Sequence, residues 1–262
     1  MLLSLLSVLA YLFAALLLAR YYTKNSANNH PHQNTVNLLV SFAIVTQALN
    51  FSGFYTSGGI VFGLANSASF VAWLIAVLLF LSAFSKPIHA LGILVYPLAA
   101  FTLVFASYFP DVDGKVISLS IASHVFLSIT AYALLAIAVC QSVLLKIQEN
   151  HLHGHNINGF INKLPALQTM ESLLFQSIRA GFYLLTLSLV SGFIFIDDLF
   201  AQHLVHKTAL SIFAWGIFAT LVFGRSLFGW RGKQAISATQ IGFAILVLAY
   251  FGSKFVLERL IG

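Results

Sequence analysis

Eight apolar runs, each close to the length that crosses a bilayer, leave one class of fold open to this chain. They fall at roughly 2–19, 36–55, 65–84, 89–109, 118–146, 174–196, 208–228 and 235–256. A helical crossing of the hydrocarbon core needs about 20 consecutive apolar residues. Ordinary turn chemistry separates the runs: YTKNSANNHPHQN, TSGG, SKP, PDVDGK, the longer ENHLHGHNINGFINKLPALQ, and GWRGKQ. Of the 262 residues, 60% are apolar and 8% charged, whereas a soluble domain carries about 25% charged residues. The expectation is an all-α, polytopic membrane protein, with about eight transmembrane helices in one bundle and residues 1–262 as a single membrane domain. No soluble domain fits between the runs, so any site must be built from helices and short loops. Pro97 falls inside the fourth run and is expected to kink it, because a proline withdraws one backbone donor.

The first twenty residues, MLLSLLSVLAYLFAALLLAR, have no basic residue ahead of the apolar run and no small-residue cleavage site. They read as a retained first helix, since a secretory signal needs both features. Orientation follows from the basic residues of alternate loops. Arg20, Lys24, Lys86, Lys146, Lys163, Arg179, Arg225, Arg231 and Lys233 fall on one side; Lys115, Lys207, Lys254 and Arg259 fall on the other. Nine against four puts the first set in the cytoplasm and both termini outside. The net charge of +6 therefore reads as topology, not as a nucleic-acid surface. The bilayer is the first partner, in a bacterial-type inner (plasma) membrane. Cys140 is the single cysteine, which excludes an internal disulfide and a C-x-x-C-H haem attachment.

Ionisable groups within a membrane span are costly and mark function by default. No acidic residue lies deep in a run, which argues against an ion-coupled transporter. His124 is the exception among the polar groups. It lies about two turns inside the fifth run, with Ser128 and Ala131 following at i+4 and i+7. That small-residue stripe should face a neighbouring helix. Two readings stay open. The imidazole bonds a Ser, a Thr or a carbonyl on the next helix, or it ligates haem iron, with the porphyrin completing the shell. His203 and His206, just before the seventh run, are on the same predicted side and offer a second ligand. Lys207, Lys254 and Arg259 on that side would meet the propionates. The histidines of HLHGH (His151, His153, His155), like His30 and His32, read as solvated loop residues, and His89 as interfacial.

SHVFLSITAYALLAIAVCQSVLLKIQ, with His124 followed eight residues later by Tyr132 and a small-residue run, resembles the cytochrome c assembly family of haem-handling proteins. Within it the likeness is to the short eight-span members of the HemX and YpjD type. Lys207-Thr208, Trp215, the G-x-x-A turn Gly232–Ala235, and Ala249-Tyr250-Phe251-Gly252 carry the resemblance further, over about 36–257. It implies that His124 is an outer-facing ligand of haem b. The family's tryptophan-rich haem-cradling loop is absent, its place taken by IDDLFAQHLVH. Phe223 stands where CcsA-type members carry an intramembrane histidine, and no histidine follows the last helix. The reading is a non-enzymatic, haem-binding accessory of cytochrome c assembly, with other maturation proteins as partners. The alternative is a haem-free scaffold or regulator acting through a partner.

Overall fold

The computed structural model describes residues 2–23, 33–51, 55–56, 59–60, 64–109, 119–153, 163–195 and 202–252. Eight α-helices run through these residues: α1 (Leu2–Thr23), α2 (Gln33–Asn50), α3 (Leu64–Ala83), α4 (Gly92–Tyr108), α5 (Leu119–His153), α6 (Leu167–Phe195), α7 (Gln202–Phe228) and α8 (Lys233–Val247). A 3₁₀ turn (His89–Leu91) leads into α4, and a π turn (Leu248–Gly252) continues α8. The only strand pairing among the described residues is a two-residue antiparallel ladder, Tyr55–Thr56 with Gly59–Ile60. The chain is thus an all-α polytopic protein.

Among the described residues, six segments are long and apolar enough to cross a membrane: α1, α3, the 3₁₀ turn with α4, most of α5, all of α6 and most of α7. The other two expected spans are present as α2, which carries Gln33, Asn34, Asn37, Gln47 and Asn50, and as the fifteen residues of α8. The helices outrun their apolar cores. α5 has neither Gly nor Pro across 35 residues, about 52 Å at 1.5 Å per residue, and continues seven residues past the expected end. His151 and His153 therefore lie in its last turns and not in a loop; His151 Nδ1 is 2.9 Å from the Ile147 carbonyl. α6 begins at Leu167, seven residues ahead of its apolar run. α4 continues as helix through Pro97. His89 opens the 3₁₀ turn, where its Nε2 accepts from the Gln33 side-chain amide at 3.0 Å.

Contacts divide the chain into two compact units, residues 1–116 with 147–167, and residues 117–146 with 168–262. In the first, α1 packs against α2 and α4, and α3 against α4. The pattern is inside-out, as a bilayer solvent requires. Leu2, Leu5, Leu9, Leu12 and Phe13 of α1 are exposed, whereas Ser7, Ala10, Tyr11, Ala14 and Leu18 are buried. Small and polar residues let helices approach, and interhelical hydrogen bonds join them. Ser7 meets Thr46 at 2.7 Å, the Tyr11 hydroxyl donates to Gln47 Oε1 at 2.9 Å, and Gln47 Nε2 donates to the Ser69 carbonyl and hydroxyl at 3.3 and 3.2 Å. The Trp73 indole donates to the Ile44 carbonyl at 3.0 Å. Lys163 Nζ donates to the Tyr21 carbonyl at 2.5 Å and sits 4.4 Å from the Tyr21 ring centre, and Gln148 Nε2 donates to the Pro165 carbonyl at 2.9 Å.

In the second unit, Gly181 of α6 lies so close to α5 that a Cβ would stand 2.7 Å from the Leu135 side chain. Trp215 of α7 stacks on Phe182 of α6 at 5.7 Å, its indole N–H donating to Thr186 Oγ1 at 2.9 Å. α7 packs along α8, where Gly242 accommodates Phe218. Gln240 Nε2 donates to Ser142 Oγ at 3.3 Å, tying α8 to α5.

Candidate functional site

His124 sits near the start of α5, half-buried, on the stripe with Ser128 and the fully buried Ala131. That stripe faces α6. His124 Nδ1 lies 3.0 Å from the Ser188 carbonyl oxygen and 3.0 Å from Ser191 Oγ. A carbonyl oxygen only accepts, so Nδ1 carries the proton. The Ser191 hydroxyl donates to the same carbonyl at 2.8 Å, leaving its lone pairs free to share the Nδ1 proton. Four residues along α5, Ser128 donates to the His124 carbonyl at 2.8 Å and meets Ser188 Oγ at 2.6 Å. With the proton on Nδ1, Nε2 presents its lone pair, and no described residue bonds it. The first reading of His124, a bond across to the next helix, is therefore satisfied through one ring nitrogen without consuming the other.

Gly192 completes this wall. A Cβ there would stand 3.0 Å from His124 Cε1, 3.5 Å from Nδ1 and 3.8 Å from Nε2. The imidazole thus rests where any side chain at 192 would intrude. Ser188, Ser191 and Gly192 were not singled out from sequence; the signal was the S-x-x-S-G spacing within an otherwise large apolar run.

Three further groups converge on this end of the unit. The first is Lys207, in the second turn of α7. Lys207 Nζ sits 5.0 Å from the centre of the Tyr250 ring, a cation–π arrangement. Tyr132 of α5 meets Tyr250 edge-on at 5.9 Å. Among the described residues no carboxylate lies within ion-pair distance of Lys207. His203 and His206 fall in the first turns of α7, but their side chains lie outside the described residues, as do Lys254 and Arg259 entirely. Phe223 is on the exposed face of α7.

A second polar cluster, at the opposite end of α6, was not read from sequence. Glu171, in the second turn of α6, is buried; its Oε1 accepts from the Gly232 N–H at 2.8 Å, and its Oε2 lies 3.4 Å from Arg231 Nε. Gly232 has φ 53°, where a side chain would be strained. Arg225 donates to the Trp230 carbonyl at 3.0 Å and lies 4.7 Å above the Phe175 ring. The G-x-x-A turn is thus a junction pinned by a carboxylate at the start of α8.

The family model described as Cytochrome C assembly protein matches residues 61–261. The chain belongs to the cytochrome c assembly family. The match takes in the described part of α3 through the π turn, hence both polar clusters, and begins later than the 36 expected, leaving α1 and α2 outside. The inner membrane protein YpjD of Escherichia coli K12 is 30% identical over 195 residues, 74% of each chain. CcsA, a cytochrome c biogenesis protein of Mesostigma viride, is 23% identical over 248 residues, covering 83% of this chain and 81% of its own. CcsA of Porphyra purpurea is 24% identical, with 84% and 83% covered. No solved structure matches this family member significantly.

Proposed function

We propose that this protein is a haem-binding, non-enzymatic accessory of cytochrome c assembly, with His124 Nε2 as an axial ligand of haem b. The observation that carries the reading is the Nδ1–H bond to the Ser188 carbonyl, which leaves Nε2 unpartnered among the described residues. A histidine that donates its other N–H to a carbonyl is the usual state of a metal-bound imidazole. Among the described residues no three His, Cys, Asp or Glu side chains converge. One histidine suits an iron whose remaining donors come largely from the macrocycle better than it suits a bare metal ion. Lys207 provides a cation for a propionate, and Tyr132 and Tyr250 provide aromatic surface. Lys254 and Arg259 are the further propionate partners, and His203 or His206, from the start of α7, the second ligand.

The chain's own residues orient the imidazole, offer charge to the carboxylates and exclude water; bound haem would supply any redox chemistry. The likeness to YpjD supports an inner-membrane location. The basic-residue count puts both termini and His124 on the outer side, and the family supports contact with other cytochrome c maturation proteins. The missing tryptophan-rich loop and Phe223 favour a second reading, a haem-free scaffold.

The test is an absorption spectrum of the detergent-purified protein, oxidised and reduced, with and without added hemin, beside His124→Ala. A Soret band that shifts on reduction and is lost in the folded variant is expected. Normal haem content in a folded His124→Ala protein overturns the ligand assignment, and no haem uptake by the parent moves the reading to the scaffold.

A further inference from the structure

We infer that Ser188, Ser191 and Gly192 of α6 are positioning residues that fix both the tautomer and the tilt of His124. The inference rests on the proposed ligation and extends it to residues that would not touch the iron. Three features act together. The Ser188 carbonyl and the Ser191 hydroxyl, each 3.0 Å from Nδ1, share one proton donor. Because Ser191 spends its own proton on the Ser188 carbonyl at 2.8 Å, its oxygen faces Nδ1 as an acceptor. The 2.6 Å contact between the Ser128 and Ser188 hydroxyls holds α5 and α6 in register next to the ring. Gly192 supplies the space: a Cβ there would stand 3.0 Å from Cε1, tight enough that the ring would have to shift by a few tenths of an ångström.

The consequence is electronic as well as geometric. Acceptors on Nδ1–H push electron density toward Nε2 and make it a stronger donor, which favours ferric over ferrous iron. Losing such a partner costs roughly 10–100-fold in metal affinity. Ser191→Ala deletes one oxygen and leaves the helix intact, so it carries the test.

The experiment is hemin titration and spectroelectrochemistry of the full-length protein in detergent, comparing parent, Ser191→Ala, Gly192→Ala, Gly181→Ala and His124→Ala. Ser191→Ala should weaken ferric hemin binding by about ten-fold and raise the midpoint potential. If that loss is confined to the ferric state it appears as about 59 mV, the one-electron equivalent of a factor of ten. Gly192→Ala should broaden or shift the ferric Soret band as the ring tilts. Gly181→Ala crowds Leu135 on the same α5–α6 interface; it should lower thermal stability and leave band position and potential at parent values. Parent-like affinity and potential in Ser191→Ala, or an equal shift in Gly181→Ala, overturns the positioning role. If His124→Ala keeps its haem, the ligation itself falls. If only His124→Ala loses haem, the ligation stands and the positioning role fails.

Discussion

Tyr11 and Gln47 are fully buried, joined by a 2.9 Å bond from the Tyr11 hydroxyl to Gln47 Oε1. Removing either partner should cost more than the bond itself, because the other is stranded away from water. Tyr11→Phe leaves Oε1 unpaired but keeps both Gln47 bonds to Ser69. Interhelical hydrogen bonds in membranes average about 0.6 kcal/mol and reach about 1.7, and stranding a buried polar group costs about 1–3 kcal/mol. A loss of about 1.5 kcal/mol is expected, a little over ten-fold in the folding equilibrium. Gln47→Leu removes three bonds and strands the Tyr11 hydroxyl, for about 2 kcal/mol. The double variant removes the stranded hydroxyl with the amide, so its loss should stay near 2 kcal/mol, not the roughly 3.5 of an additive sum. The assay is unfolding of the detergent-solubilised protein by rising SDS fraction, followed by indole fluorescence; Trp73, bonded to the Ile44 carbonyl, lies in the same unit. Additive losses in the double variant would refute the reasoning, since they would mean that the two groups do not depend on each other.

At the opposite end of α6, Glu171→Ala should destabilise by about 2 kcal/mol, because it leaves the Gly232 N–H without its charged acceptor at a helix start. Glu171→Gln keeps an acceptor and should cost about half as much; Arg231, more than half exposed, adds little. Thermal unfolding of the two variants checks the order, and equal losses would show that charge alone matters. Gly92→Ala and Gly216→Ala should have opposite signs in the same assay. A Cβ at 92 would stand 2.5 Å from Tyr96 and 2.7 Å from Leu18, overpacking worth about 1–3 kcal/mol, whereas nothing lies within 4 Å of one at 216. There the better helix propensity of alanine should gain up to about 1 kcal/mol.

The helix number and the membrane class were legible because a bilayer imposes its own length and polarity on every crossing. Helix ends were less so. Hydropathy marks where a helix leaves the hydrocarbon and not where its backbone bonds stop, so α5 and α6 each run seven residues beyond their apolar stretch. For the same reason hydropathy does not mark Glu171: it precedes the apolar run that begins near Leu174, and only the earlier start of α6 makes it helical and buried. At the His124 site, spacing found one wall and missed the other. A histidine with Ser128 and Ala131 at i+4 and i+7 announces a packed face, but nothing in the sequence gives the rotation or depth of α6.

What the sequence determined by itself is therefore local and periodic: an all-α chain of membrane-length helices, a polar stripe on α5, a basic residue at Lys207, and a set of family motifs. The tertiary structure decided which nitrogen of His124 is engaged, since that depends on a carbonyl 64 residues away coming within 3.0 Å. It also decided that Lys207 rests over Tyr250 and that Glu171 caps α8. Each of these depends on distance between groups on different helices, and sequence spacing constrains only groups that share one.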